Sequence, residues 1–178
     1  MMKFLYLSEQ YNVKFMSFLK EKGEVNWTRK KINPKIIVDF NWVISYGYKH
    51  ILSREILKNS KNNVINLHIS YLPHNRGADP NYWSFKENTP KGVTIHFIDE
   101  GIDTGPILIQ KLCAFDKSHT LKSSYDLLKE TIETLFFDNF DNIINGKIKP
   151  KPQVGKGSMH YKKDLKKPLN YNTKVNKI

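Results

Sequence analysis

The sequence predicts an α/β protein, with a mostly parallel sheet flanked by helices. Three observations lead there. Lys3 to Leu7 is a short apolar, aromatic run, and Val13, Phe15, Met16, Phe18 and Leu19 then recur at helical spacing up to Gly23, which makes a strand followed by a helix. Between Val64 and Leu108 apolar runs end in polar, Gly- and Pro-rich loops. Open α/β sheets gather side chains into one crevice at such places. Finally, Leu121, Tyr125, Leu128, Ile132, Leu135, Phe136, Phe140 and Ile143 hold a 3.6-residue period from Ser118 or Thr120 to Gly146, so a long helix covers one face of the sheet.

At 178 residues the chain is expected to form one domain with a proper core. A single cysteine, Cys113, excludes an internal disulfide and fits a reducing compartment. The start, MMKFLYLSEQ, is too brief for a signal peptide or a membrane span, so the expectation is a cytoplasmic protein that meets no membrane. The net charge of +12 raises the question of nucleic acid. From Gly146 onward ten lysines face one acid, Asp164, so most of the excess sits in the tail. A Lys- and Asn-rich end of this kind reads as a solvated, partly disordered terminus.

Several elements are shorter. Residues 24 to 35 are mixed and basic and carry no clear assignment, whereas Ile36 to Phe40 and Trp42 to Tyr46 are apolar runs. Ser53 is a candidate N-cap for a short helix to Lys58, and Asn62 and Asn63 turn the chain into a strand over Val64 to His68. Asp79 is placed to cap a helix running to about Phe85, with Pro80 at its first position. Val93 to Ile98 alternates as a strand, and Pro106 to Leu112 is a second strand that returns beside it.

The chemistry concentrates in the Val64–Leu108 stretch. Asn66 and His68 are separated by one residue on a strand, so both side chains point to the same side of the sheet. An amide NH2 can donate to an oxygen that gains charge, and an imidazole can handle a proton near neutral pH. Asp103 lies in a second polar turn between Gly101 and Gly105, where a carboxylate can orient the imidazole. None of the other histidines has Cys or carboxylate spacing suited to zinc, so no metal is expected.

These motifs resemble the 10-formyltetrahydrofolate-dependent formyltransferase family. Its members carry Asn-X-His, a Ser-Leu-Leu-Pro-like loop and an Asp-Gly-X-Asp-Thr-Gly-like turn. Here these read Asn66-Leu67-His68-Ile69-Ser70-Tyr71-Leu72-Pro73, then Arg76-Gly77-Ala78-Asp79-Pro80-Asn81, then Asp99-Glu100-Gly101-Ile102-Asp103-Thr104-Gly105. The resemblance covers roughly Val43 to Leu112. It implies a Rossmann-like formyltransferase fold, with residues 1–146 as the catalytic domain and 147–178 as a Lys-rich extension. It implies three catalytic groups: Asn66 for the oxyanion, His68 for proton movement and Asp103 to orient His68. A folate site is implied at Tyr48, Lys49, His50, Ile51 and Leu52 and at Ile98, Asp99, Glu100, Gly101 and Ile102.

The family divides by the amine it formylates. Enzymes acting on methionyl-tRNA usually carry a second, C-terminal domain and a Gly-Thr-Pro-like motif near the start, and this sequence shows neither. Purine-pathway enzymes acting on glycinamide ribonucleotide usually carry a glycine-rich phosphate loop after the first strand, where this chain reads Leu7-Ser8-Glu9-Gln10-Tyr11-Asn12. The Arg76 to Asn81 loop looks most like the sugar N-formyltransferases, which implies a nucleotide-linked amino sugar (dTDP-, UDP- or GDP-) as partner, with Arg76, Asp79 and Asn81 near it. Arg76 either meets a phosphate or shapes the loop. A homodimer stays open, and nucleic acid is the alternative partner, for a non-catalytic protein on this fold. Two departures from the family pattern stand out: Ile69 replaces the usual Pro after the motif His, and the region before Asn66 is short.

Overall fold

The computed structural model describes residues 1–60 and 63–178. The sheet orders its strands β2 (Glu24–Thr28), β1 (Lys3–Leu7), β3 (Trp42–Tyr46), β4 (Val64–His68), β6 (Gly92–Phe97) and β7 (Ile107–Leu112). The first four run parallel, whereas β6 pairs antiparallel with β4 and β7 returns antiparallel beside β6. The α/β reading therefore holds, including the returning pair. Strand β2 falls in the unassigned stretch, and Ile36 to Phe40 forms a 3-10 turn over Ile37–Asp39. The turn expected at Asn62 and Asn63 lies partly outside the described residues, since Asn62 is not among them.

Sheet alternation divides the core. Phe4, Tyr6, Trp42, Ile44, Ile65, Leu67, Val93 and Ile95 face α1 (Val13–Lys22) and α4 (Leu121–Ile144). Leu5, Leu7, Val43 and Val64 face the other way, towards Ile37, Leu52 and Ile56 of α2 (Arg54–Asn59). Because both faces are covered, β3 is buried at every position, as expected of a central parallel strand. Asn66 and His68 alternate with Ile65 and Leu67, so they belong to the α2 side.

The helices begin where their polar residues supply caps. The Asn12 side chain accepts from the Phe15 N–H, and Thr120, the second of the two candidate starts, forms a reciprocal capping box with Ser123. Helix α3 (Pro80–Lys86) begins at the expected place, but Asp79 adopts a left-handed backbone (φ 52°) and its carboxylate makes no cap. The cap reading of Asp79 is thus corrected: that backbone conformation leaves the carboxylate without a bond to the first turn.

The basic tail differs from a loose terminus. Residues 147–178 cross back over the protein: Lys151 exchanges two backbone hydrogen bonds with Ile107, and β8 (Met159–His160) pairs in parallel with β5 (Arg76–Gly77). Further along, the N–H groups of Leu121 and Lys122 donate to the carbonyls of Thr173 and Tyr171 (both 2.9 Å). His160 stacks on Trp83 with ring centroids 4.0 Å apart. Lys162, Lys163, Lys166 and Lys167 stay exposed, so high charge coexists with backbone pairing.

Candidate active site

At the end of β4 the side chains of Asn66 and His68 meet Asp103, which the turn after β6 delivers in a left-handed conformation (φ 51°). Asn66 Nδ2 donates to Asp103 Oδ1 (3.0 Å), and His68 Nδ1 lies 3.5 Å from Asp103 Oδ2. The backbone N–H of Gly77 donates to the same Oδ2 (2.8 Å). The three residues singled out from sequence are therefore brought together.

A fourth group joins them. His96 pairs across the sheet from Asn66, is almost wholly buried, and places Nε2 3.5 Å from Asp103 Oδ1 and 3.3 Å from Asn66 Nδ2. Sequence reasoning passed over it, although the alternation Val93-Thr94-Ile95-His96 put it on the side opposite the apolar Val93 and Ile95. Its role depends on register with β4, which no local pattern encodes.

Hydrogen bonding settles which nitrogens are available. A carbonyl only accepts, so His68 Nε2 donates to Asn75 O (3.0 Å) and Nδ1 is the nitrogen that faces the carboxylate. By the same argument His96 Nδ1 donates to Phe97 O (2.7 Å), leaving Nε2 towards Asn66. Both hydrogens of the Asn66 amide are then engaged, one by Asp103 and one by His96. Burial favours the neutral acid at Asp103, but the facing His68 imidazole, the contact with His96 and the Gly77 N–H together outweigh it. They hold the Asp103 carboxyl well below the usual carboxylate range.

Asn66, His96 and Asp103 line a cavity of about 360 Å³, with His68 behind Asp103. Nine of the ten residues expected at the folate site line it as well: Tyr48, Lys49, His50, Ile51, Leu52, Ile98, Asp99, Gly101 and Ile102. Glu100 is the exception and is corrected here, because its carboxylate turns outward to pair with Arg54 Nε (2.8 Å). Sequence reasoning also missed that Ala78 and the tail residues His160, Tyr161 and Lys162 complete the wall. Among the described residues no group of three or more His, Cys, Asp or Glu side chains is arranged to hold a metal ion. No described helix is long and apolar enough to cross a membrane.

The expected acceptor residues divide. Asp79 lines a smaller crevice with Ile69, Tyr82 and Tyr125. Arg76 is turned onto Gln153, donating to its Oε1 from Nε (3.1 Å) and Nη2 (2.7 Å), which favours the loop-shaping alternative. Asn81 is buried, with Nδ2 donating to Leu121 O (3.0 Å) and Oδ1 accepting from Ser124 Oγ (3.1 Å). Asn81 also borders the Asp79 crevice, and its amide joins α3 to α4.

An open α/β sheet with an amide, an imidazole and a carboxylate at one cavity, and a second imidazole behind the carboxylate, is an arrangement able to handle protons beside an oxygen that gains charge. The formyl transferase family matches residues 18–138, and the chain belongs to that family. Its structure is similar to that of the formyltransferase PseJ from Anoxybacillus kamchatkensis, solved in complex with UDP-4,6-dideoxy-4-formamido-L-AltNAc and tetrahydrofolate. The TM-score is 0.92 with 41% identity, over 98% of this chain and 96% of that one. The sequence is also 37% identical over 153 residues to a methionyl-tRNA formyltransferase of Thermodesulfovibrio yellowstonii, covering 84% of this chain and 47% of the relative. It is 30% identical over 131 residues to a dTDP-4-amino-4,6-dideoxyglucose formyltransferase of Mycobacterium bovis, covering 74% of this chain and 55% of that protein. The chain spans about half the length of these two curated relatives.

Proposed function

We propose that the protein transfers a formyl group from 10-formyltetrahydrofolate to the amine of a nucleotide-linked amino sugar. The observation that carries formyl transfer is the convergence of Asn66, His68, His96 and Asp103 on a cavity lined by nearly all of the expected folate residues. The sugar acceptor is supported by the likeness to the PseJ complex, whose bound product is a formamido sugar nucleotide.

In this reading the amine attacks the formyl carbon and the carbonyl oxygen becomes an oxyanion, which Asn66 Nδ2 meets with a hydrogen bond. The proton lost by the amine passes towards the folate nitrogen as the C–N bond to the cofactor breaks. His68 Nδ1 and Asp103 Oδ2 form the pair that holds charge during this transfer. Ile51, Leu52, Ile98 and Ile102 supply apolar walls for the flat pterin.

The test incubates the protein with 10-formyltetrahydrofolate and a panel of nucleotide-linked 3-amino and 4-amino sugars, following release of tetrahydrofolate. The 37% identity to a methionyl-tRNA formyltransferase makes methionyl-tRNA the competing acceptor, and glycinamide ribonucleotide belongs in the same panel. Consumption of either while every sugar is refused sinks the sugar assignment. His68→Ala and Asp103→Asn are expected to lower turnover by roughly 10²–10⁴-fold while circular dichroism stays unchanged.

A further inference from the structure

We propose that Gln153 is a positioning residue for the transfer, holding the Asp103 turn in place from the C-terminal segment by a relay anchored on Arg76. The proposal rests on the formyl-transfer reading of this site.

Gln153 Nε2 donates to the carbonyls of Asp103 (2.8 Å) and Gly105 (2.9 Å). Its Oε1 accepts from two nitrogens of Arg76 (3.1 and 2.7 Å), so every hydrogen-bonding site of the amide has a partner. Reversing the amide would set oxygen against two carbonyl oxygens and NH2 against a guanidinium, so this orientation is the only one that pairs. The Arg76 charge polarises the amide and strengthens its N–H donors.

The relay closes on itself. Arg76 precedes Gly77, whose N–H donates to Asp103 Oδ2 (2.8 Å), while Gln153 grips the carbonyl of the same Asp103. The carboxylate and the backbone of one residue are thereby fixed by two neighbours that are fixed to each other. Asp103 needs this, because a non-glycine residue in the left-handed region is held there only by its surroundings. Elsewhere in the turn Asp99 Oδ1 accepts from Gly101 N and Thr104 Oγ1, and Glu100 pairs with Arg54 at the exposed rim, so neither holds Asp103 itself. Gln153 does not line the cavity, so it acts through Asp103. The segment that carries it is held down independently, with Arg76 N donating to Ser158 O (2.9 Å).

Two variants test the donor end of the relay, one of them with the Arg76 end kept. Gln153→Glu keeps an acceptor for Arg76 and removes the donors to both carbonyls, whereas Gln153→Ala removes both ends. Turnover is counted per site titrated with 5-formyltetrahydrofolate, so misfolded molecules drop out. Both variants are expected to lose about 100-fold in kcat, the scale of a misplacement near 1 Å, with KM for folate and acceptor within about threefold of wild type. A second readout needs no acceptor: ¹³C NMR of the Asp103 carboxyl, assigned with Asp103→Asn. Its titration is expected to begin at higher pH in both variants than in wild type. A kcat near wild type in both variants overturns the relay, and so does an unchanged Asp103 titration. A wild type that formylates no amine overturns the proposed function, and the NMR titration then decides the relay alone.

Discussion

Tyr6 illustrates how much a single buried hydroxyl can say. Its ring is fully buried, its hydroxyl has no partner among the described residues, and the adjacent Ser8 hydroxyl donates to Gln10 O (2.7 Å). Burial pushes the phenol up to about 12, against the opposing effect of Ser8 and with help from the Glu133 charge. A raised acid stays protonated in the fold while the unfolded chain ionises near pH 10, so its stabilisation is intact below pH 10 and is lost as pH rises towards 12. Tyr6→Phe is expected to be near neutral in stability at pH 7 and to recover roughly 2 kcal/mol at pH 12, measured by urea unfolding. An unchanged alkaline limb would place the loss elsewhere, for instance at Tyr46, whose phenol burial also raises. At this scale the meeting of Asn66, His68 and Asp103 was legible because they sit in short, ordered motifs. His96 was not, because its partner lies thirty residues away along the chain and meets it only through strand pairing.

Elements were legible in proportion to the length of their pattern. Helix α4 keeps its period over 24 residues, and its Phe136 stacks on Phe15 at 5.0 Å in the centre of the larger core. Phe136→Ala is expected to cost about 3–5 kcal/mol in chemical denaturation, since fully buried aromatics leave a cavity that neighbours only partly fill. A loss under 1 kcal/mol would mean that the facing aromatics collapse into the gap. Strand β2 was not legible, because Glu24–Thr28 is an edge strand with no fully buried position and its polar alternation resembles a loop. The two-residue strands β5 and β8 carry too few side chains for any periodicity; their pairing depends on Gly77, where an added Cβ would lie 2.3 Å from His160 O.

Across the whole molecule the charge distribution misled where the backbone did not. Lysines along residues 147–178 gave the composition of a solvated tail, yet the same segment contributes His160, Tyr161 and Lys162 to the cavity and Gln153 to the turn behind it. Composition records the exposed side chains and is silent about backbone pairing. Two truncations separate the parts. Ending the chain after Asp164 keeps Gln153 and His160 but removes the bonds from Tyr171 and Thr173 to the start of α4, so a lower Tm with preserved turnover is expected. Ending it after Ile148 is expected to abolish turnover as well. Equal turnover from the two truncated proteins would show that the segment from Lys149 to Asp164 has no part in the reaction.

The sharing of Asn66 has one further chemical consequence. Its amide hydrogens are divided between Asp103 and His96, and His96 Nδ1 already donates to Phe97 O. A proton arriving at His96 Nε2 therefore turns that nitrogen from an acceptor into a donor and releases one Asn66 hydrogen at the same moment. In the proposed transfer amine attack creates a surplus proton and a negative oxygen together, and His96 stands where uptake of a proton would free an amide hydrogen for that oxygen.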